Sequence, residues 1–309
     1  MTAPSNLPTL YRNHQILVWV EDEVTRTYLR EVWQDSNIGL LIAGGHENIH
    51  AVVKSARAQG FLHVFGFRDR DFGGTNRPKW QDDPEGVLTS EVFEVENLAL
   101  DSQAMFACQL NSSKMTAEQI SARLRELASK RCWWMSCRHA ITDVRNAITD
   151  KFVEHPKLGK VTTQAEAEEV IFASKWWTAT LPVIGASTTA ACVRTNLAQH
   201  HARYSALLAS GEWQAHFSGK ELLQEVVTAV WTKGRPKGEH SDSVHLDFIR
   251  SIGEAQRLHN RIPGELQALR AVLRTRVRLP PQQPEVADLD ELVTDPPTVP
   301  RSPAIPDQT

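Results

Sequence analysis

The chain has 309 residues, 41% of them hydrophobic, and a net charge of -3, which is enough for one large domain or two modest ones with buried cores. Its cysteines, Cys108, Cys132, Cys137 and Cys192, are too sparse and irregular for a disulfide framework, and no amino-terminal run resembles a secretory signal, so a reducing cytoplasm is the expected setting. The longest apolar stretches, such as 16–20 and 38–43, fall far short of the ~20 residues that span a bilayer, so no membrane span is expected.

The charge is unevenly spread. Residues 280–309 hold Glu285, Asp288, Asp290, Glu291, Asp295 and Asp307 against Arg301 alone, a net charge of -5 that leaves the first 279 residues at +2. A near-neutral body excludes a global cationic field, so any phosphate-binding surface has to be a local patch.

In chain order, residues 16–20 read as a buried strand and 23–33 as a helix, with Val24, Tyr28, Leu29 and Val32 on one face. Residues 38–43 read as a second strand, Gly44-Gly45 as a tight turn, 46–58 as a helix and 61–67 as a third strand. This β-α-β-α-β order predicts a parallel sheet with right-handed crossovers, helices on both faces, and an active site beyond the carboxyl ends of the strands. After a Gly/Pro/Asp-rich loop over 73–86, residues 87–95 read as a further strand. From Thr116 the pattern turns helical, with helices predicted over 117–130, 133–152, 165–173, 186–210 and 220–231. The tail from Pro280, with eight prolines and little apolar content, is expected to be disordered. The predicted organisation is an α/β catalytic domain over 1–110, a mainly α-helical domain over 111–279 packing on or completing it, and the tail over 280–309.

Three acids stand where a metal site needs them. Glu21 directly follows the first strand, and Asp69 and Asp71 follow the third in Phe67-Arg68-Asp69-Arg70-Asp71-Phe72. If strands one and three are neighbours, the three carboxylates meet at one sheet edge, with the residue between the two aspartates pointing away. Hard oxygen donors at that spacing suit Mg²⁺ or Mn²⁺, which keep several waters and bind phosphate oxygens.

This pattern resembles the TOPRIM domain of topoisomerases, primases and OLD-family nucleases. Val18-Trp19-Val20-Glu21 is similar to the family's apolar strand ending in an acid, Ala43-Gly44-Gly45 to its glycine turn, and Asp69-Arg70-Asp71 to its Asp-x-Asp. Asp22 and Thr25 depart from it: the family usually has Gly after the Glu and often an Asp four residues beyond it. Phe93-Glu94-Val95-Glu96-Asn97-Leu98 and His216-Phe217-Ser218-Gly219-Lys220-Glu221 resemble motifs of a TOPRIM subgroup that accompanies ABC-type ATPases in antiphage defence, the PARIS effector among them. The resemblance implies a metal-dependent nuclease. Glu21 would be a metal ligand or general acid/base, Asp69 and Asp71 metal ligands, Glu96 a ligand to a second ion, and Lys220 a cation facing the phosphate. It also implies an ABC-type ATPase partner that holds the subunit quiet, a homodimer on release, and a tRNA or DNA substrate. An inactive TOPRIM binding module is the main alternative, and Asp22 and Thr25 are its support.

Other constellations compete. His46-Glu47-Asn48-Ile49-His50 is a literal H-E-x-x-H and gives a zinc hydrolase as a lesser alternative. Cys132, Cys137 and His139 lack the spacing of a zinc knuckle and read as helical core positions. Trp133-Trp134 and Trp176-Trp177 read as packing before base stacking. Lys233, Arg235 and Lys237 in a Gly/Pro loop, and Arg257, Arg261, Arg270, Arg274, Arg276 and Arg278 in a helical stretch, are candidate phosphate contacts.

Overall fold

Strand β1 (Ile16–Val20) is a run of Ile, Leu, Val and Trp buried at every position, the signature of a strand covered on both faces. It pairs in parallel with β2 (Ile38–Ile42) on one side and β3 (Val64–Arg68) on the other, and β3 pairs in parallel with β4 (Val87–Thr89). The order is β2-β1-β3-β4, so the first and third strands are neighbours and the expected parallel sheet is found. The computed structural model describes residues 7–72, 85–147, 159, 161–173, 177, 189–231 and 241–278. The acidic tail, most of the loop over 73–86, Trp176, and Lys233, Arg235 and Lys237 lie outside these residues, as do the predicted helix ends at 148–152 and 186–188.

Alternation along the strands divides the core in two. Ile16, Val18, Val20, Phe65, Phe67 and Leu88 face one cluster, while Leu17, Trp19, Val64 and Val87 face another with Ile49, Val53 and Ala56, as a period of two requires. The second cluster is covered by α3 (His46–Ala58). A Cβ on Gly66 would meet Ile49 Cγ2 at 2.3 Å, so glycine in β3 is what lets α3 lie so close.

The first cluster is covered by α2 (Glu23–Trp33) and by helices from the second half of the chain. After α1 (Leu7–Arg12), α2 and α3, the chain runs through α4 (Ser102–Ala107), α5 (Ala117–Ser129), α6 (Cys132–Ala147), α7 (Gln164–Phe172), α8 (Ala190–Ser210), α9 (Gly219–Val230), α10 (Ser241–Leu258) and α11 (Gly264–Arg276). The apolar cluster around β1 continues through Ile120, Leu124, Leu223, Phe248, Ile252 and Leu269 without a break, and residues 1–279 form one compact unit. Polar ties reinforce it. Tyr28 donates its hydroxyl to Gln256 Oε1 at 2.7 Å, and Gln256 donates to the Leu98 carbonyl at 2.9 Å.

Three predicted elements differ. The third strand begins at Val64 rather than at 61. The strand expected over 87–95 stops at Thr89, because side chains take the backbone groups that would continue the ladder: Glu91 N–H donates to Glu265 Oε1 at 2.7 Å, and its carbonyl accepts from Arg70 at 2.6 Å. The arginine-bearing stretch is two helices, broken where Asn260 takes a left-handed φ of 53° and Pro263 follows. Among the described residues, no helix is long and apolar enough to cross a membrane.

Candidate functional site

Parallel strands bring their carboxyl ends to one edge, and the chain places its acids there. Glu21, the residue after β1, reaches across to the end of β3, where its Oε1 accepts the Asp69 N–H at 3.1 Å. Burial pushes its carboxyl up to about 7; the Asp69 N–H opposes that rise, while Asp71 and Asp22 add to it. Asp22, which follows it, caps α2 by accepting the Thr25 N–H at 2.9 Å. The two departures from the resemblance are thus the two ends of a helix cap.

Beyond β3, Asp69 turns inward and accepts the Val95 N–H at 2.9 Å. Asp71 follows in a left-handed conformation, φ 50°, which short polar residues tolerate better than most. Between them, Arg70 points away, donating to the carbonyls of Glu91 and Ala215 and lying 3.0 Å from His216 Nδ1. Arg70 thus points away from Asp69, as expected of the middle residue of Asp-x-Asp, and braces the loops behind it.

The segment after β4 adds two more carboxylates. Glu94 opens a 3-10 turn over Val95–Ala99 through a capping box with Asn97. Its carboxylate accepts from Ser218 Oγ at 2.9 Å and from the Lys220 N–H at 2.9 Å. Glu96 lies within the turn at 3% exposure. The cap of this turn is Glu94, whose role its place in the sequence does not reveal. Gly219 makes this assembly fit: a Cβ there would lie 2.4 Å from the Asn97 backbone nitrogen. Lys220 contributes its backbone to Glu94 while its side chain is exposed.

The electrostatic result is an excess of negative charge with little to balance it. Burial and then Glu96, Glu21, Glu94 and Asp71 raise the Asp69 carboxyl well above the carboxylate range. Burial and then Glu96 push Glu94 up to about 8, against the Lys220 N–H, Arg138 and Ser218. Burial and the neighbouring acids thus disfavour full ionisation of the cluster, which a bound cation would relieve. One more buried group supports a missing partner. His245 of α10 is 3% exposed, its Nε2 lies 3.7 Å from Glu96 Oε1, and neither ring nitrogen has a hydrogen-bond partner among the described residues. Hard oxygen donors in excess, with an orphaned imidazole beside them, fit a divalent cation. No three of these acids, however, bring one donor each within 4.8 Å of one another; among the described residues, His139, Asp143 and His200 do so. An ion at the sheet edge would be held by one or two carboxylates and completed by water, the usual manner of Mg²⁺.

A cationic and aromatic wall stands beside the acids. Arg138 lies 4.7 Å from the ring centre of Trp134, 5.4 Å from Phe72 and 5.9 Å from Phe93. Burial and then the charges of Arg70 and Arg203 hold His216 down at about 4. Sequence reasoning missed Arg138 and His245, since nothing in their local spacing relates them to residues more than forty positions away.

The competing motifs resolve in different ways. His46 begins α3, Glu47 is exposed, and His50 Nδ1 lies 3.9 Å from Glu85 Oε2, on the helix that covers the other face of the sheet. Cys132 and Cys137 are buried free thiols, pushed up to about 11 and about 12 by burial, which makes them inert. Trp134 and Trp177 are core, while Trp133 stacks on His201 with ring centres 3.6 Å apart. Several arginines are already engaged: Arg270 and Arg274 bind Asp35, and Arg261 binds Asp101. Compared with known proteins, the chain matches no protein-family model and no curated protein.

Proposed function

We propose that this chain is a metal-dependent nuclease of TOPRIM type, in which Glu21, Asp69, Asp71 and Glu96 supply the carboxylates for Mg²⁺ or Mn²⁺ beside a phosphodiester, one or two to an ion with water completing the shell. The single observation that carries the reading is the convergence of Glu21 and Asp69, joined through the Asp69 N–H, with Glu94 and Glu96 at the carboxyl edge of a parallel sheet. A bound dication polarises a phosphoryl oxygen and lowers the pKa of its water. Glu21 is raised to about 7 in the absence of a cation; it would serve either as a ligand, in its ionised form, or, where it does not ligate, as the group that holds a proton and passes it on at neutral pH. Glu94 positions the turn that carries Glu96, and Arg138 supplies positive charge from the adjoining wall. The departure at Asp22 and Thr25 has a capping explanation, so it lends the inactive-module alternative little weight. By resemblance, the subunit would be a toxic effector in antiphage defence, restrained by an ABC-type ATPase, active as a homodimer, and cutting tRNA or DNA.

The test is cleavage of plasmid DNA and total tRNA by purified protein with Mg²⁺ or Mn²⁺, the wild type beside Glu21→Gln and Asp69→Asn. Metal-dependent cleavage lost in both folded variants is the expected result. Cleavage that survives both substitutions would remove the acids from the mechanism. A wild type that neither cuts nor gains melting temperature from Mg²⁺ or Mn²⁺ would leave the inactive module as the better reading.

A further inference from the structure

A second group of metal-ligating side chains lies outside the acidic edge, on the seam between α6 and α8. His139 and Asp143 stand one helical turn apart on α6 and so share a face. His200 and Tyr204 stand one turn apart on α8, opposite them. His200 Nε2 lies 2.6 Å from Asp143 Oδ2, and the Tyr204 hydroxyl lies 3.3 Å from His139 Nδ1. The rings of His139 and His200 stack with centres 3.7 Å apart and planes 13° apart. His139, Asp143 and His200 bring one donor atom each within 4.8 Å of one another.

We propose that His139, Asp143 and His200 form a transition-metal site of the Zn²⁺ class that staples α6 to α8. The argument rests on donor type and spacing and does not depend on the nuclease reading. Two imidazoles and one carboxylate suit Zn²⁺ and its neighbours in the first transition row, whereas Mg²⁺ prefers oxygen donors and retains its water. Zn²⁺ binds imidazole nitrogen and carboxylate oxygen at about 2.0–2.2 Å, so a shared ion needs donors roughly 3–3.5 Å apart. To admit it, the His200–Asp143 pair opens by less than about 1 Å and the stacked His139 and His200 rings turn out of their parallel arrangement, so that both in-plane lone pairs face the ion. Three protein donors leave a fourth position for water, the arrangement of open zinc sites. Tyr204 supplies the outer partner that fixes a ligating imidazole, through its contact with His139 Nδ1. The charge of Arg203 acts on His139 and Tyr204 and opposes a dication, and the Asp143 carboxylate offsets it.

The site also touches the acidic edge. Phe72 follows Asp71, and its ring centre lies 4.9 Å from that of His139 and 4.8 Å from that of Phe93. An ion fixing His139 thus stiffens the wall against which Phe72 packs.

The experiment is a Co²⁺ titration of the metal-free full chain followed by visible absorption, with Zn²⁺ as competitor. With a large excess of Mg²⁺ present to occupy the acidic edge, the expected result is one strongly absorbing Co²⁺ per chain, displaced by Zn²⁺. The spectrum should persist in Glu21→Gln and His50→Ala, vanish in His200→Ala, and weaken at least tenfold in affinity in Asp143→Asn. Should His200→Ala fail to fold, Asp143→Asn decides the matter, because its amide keeps a hydrogen bond to His200 while giving up the charge. No stoichiometric Co²⁺, a spectrum lost in His50→Ala or Glu21→Gln, or wild-type affinity in Asp143→Asn would each overturn the proposal.

Discussion

Asp35 and Asp69 are both aspartates drawn largely out of water, and they differ in what faces them. Asp35 accepts from Arg270 at 3.0 Å, Arg274 at 2.8 Å and the Asn37 N–H at 3.1 Å. Burial alone would raise its carboxyl, yet these partners outweigh burial and hold it below the usual range. Asp69 has one backbone N–H and four acids around it, and its carboxyl is driven up. A paired buried carboxylate holds a fold together, as Asp35 does by tying the chain before β2 to α11. A cluster of like charges drawn out of water works against the fold, and such clusters are common at functional sites.

The sharpest way to break that comparison is to neutralise each aspartate in turn. Asp69→Asn should lower metal-dependent cleavage by about 100-fold or more, the scale of losing a group that acts on the developing charge, while raising the melting temperature in EDTA by relieving repulsion. Asp35→Asn should lower the melting temperature and leave Mg²⁺ binding unchanged. If Asp69→Asn instead destabilises the metal-free protein, the acidic edge is structurally compensated and the contrast fails.

Removing a cation from the paired site should cost about 3 kcal/mol, because Arg274→Met strands a buried charge; urea denaturation at pH 7 measures it.

Acidity separates the two regions next. A carboxyl whose folded pKa is raised gives stability that is greatest below its unfolded value and is lost as pH rises through the folded one; for Glu21 and Glu94 that window runs from the ordinary glutamate value of 4.5 to about 7 and about 8. Asp35 has the opposite sign, its contribution being lost as pH falls below the ordinary aspartate range. Metal-free protein should therefore melt lower at pH 8 than at pH 5.5, with Mn²⁺ reducing the difference. A flat profile in EDTA would show that the edge carboxylates are already balanced.

Gly219→Ala should cost about 1–3 kcal/mol by overpacking, since its Cβ would press on Asn97, and should weaken metal binding by shifting Glu94. The smallest effect belongs to Lys220→Met: its exposed side chain predicts a stability change within about 0.5 kcal/mol, because the N–H on Glu94 is backbone and remains. A loss of cleavage without a loss of stability would assign the ammonium to the substrate.

Much of the site is legible in the sequence because its first three acids sit at strand ends, and strand ends follow from short apolar runs. Glu21, Asp69 and Asp71 needed only the β-α-β-α-β order and the adjacency of β1 and β3. Glu94 was visible in Glu94-Val95-Glu96-Asn97, but the predicted strand over 87–95 hid its role, since the ladder is ended by Glu265 and Arg70 from elsewhere in the chain. The arginines of α11 read as candidate phosphate contacts because Asp35, which engages two of them, is more than two hundred residues away.

The sequence by itself determined most of the elements, their order, the two-faced burial of β1 and the placing of Glu21 and Asp69 at one sheet edge, because periods of 2 and 3.6 and strand-end chemistry are local properties. Only the tertiary structure decided which charges are balanced. Placing Arg270 and Arg274 on Asp35, His245 beside Glu96, and His200 across from His139 and Asp143 depends on how helices pack over the sheet, and the energy of a buried charge depends on whatever packing brings within a few ångströms of it.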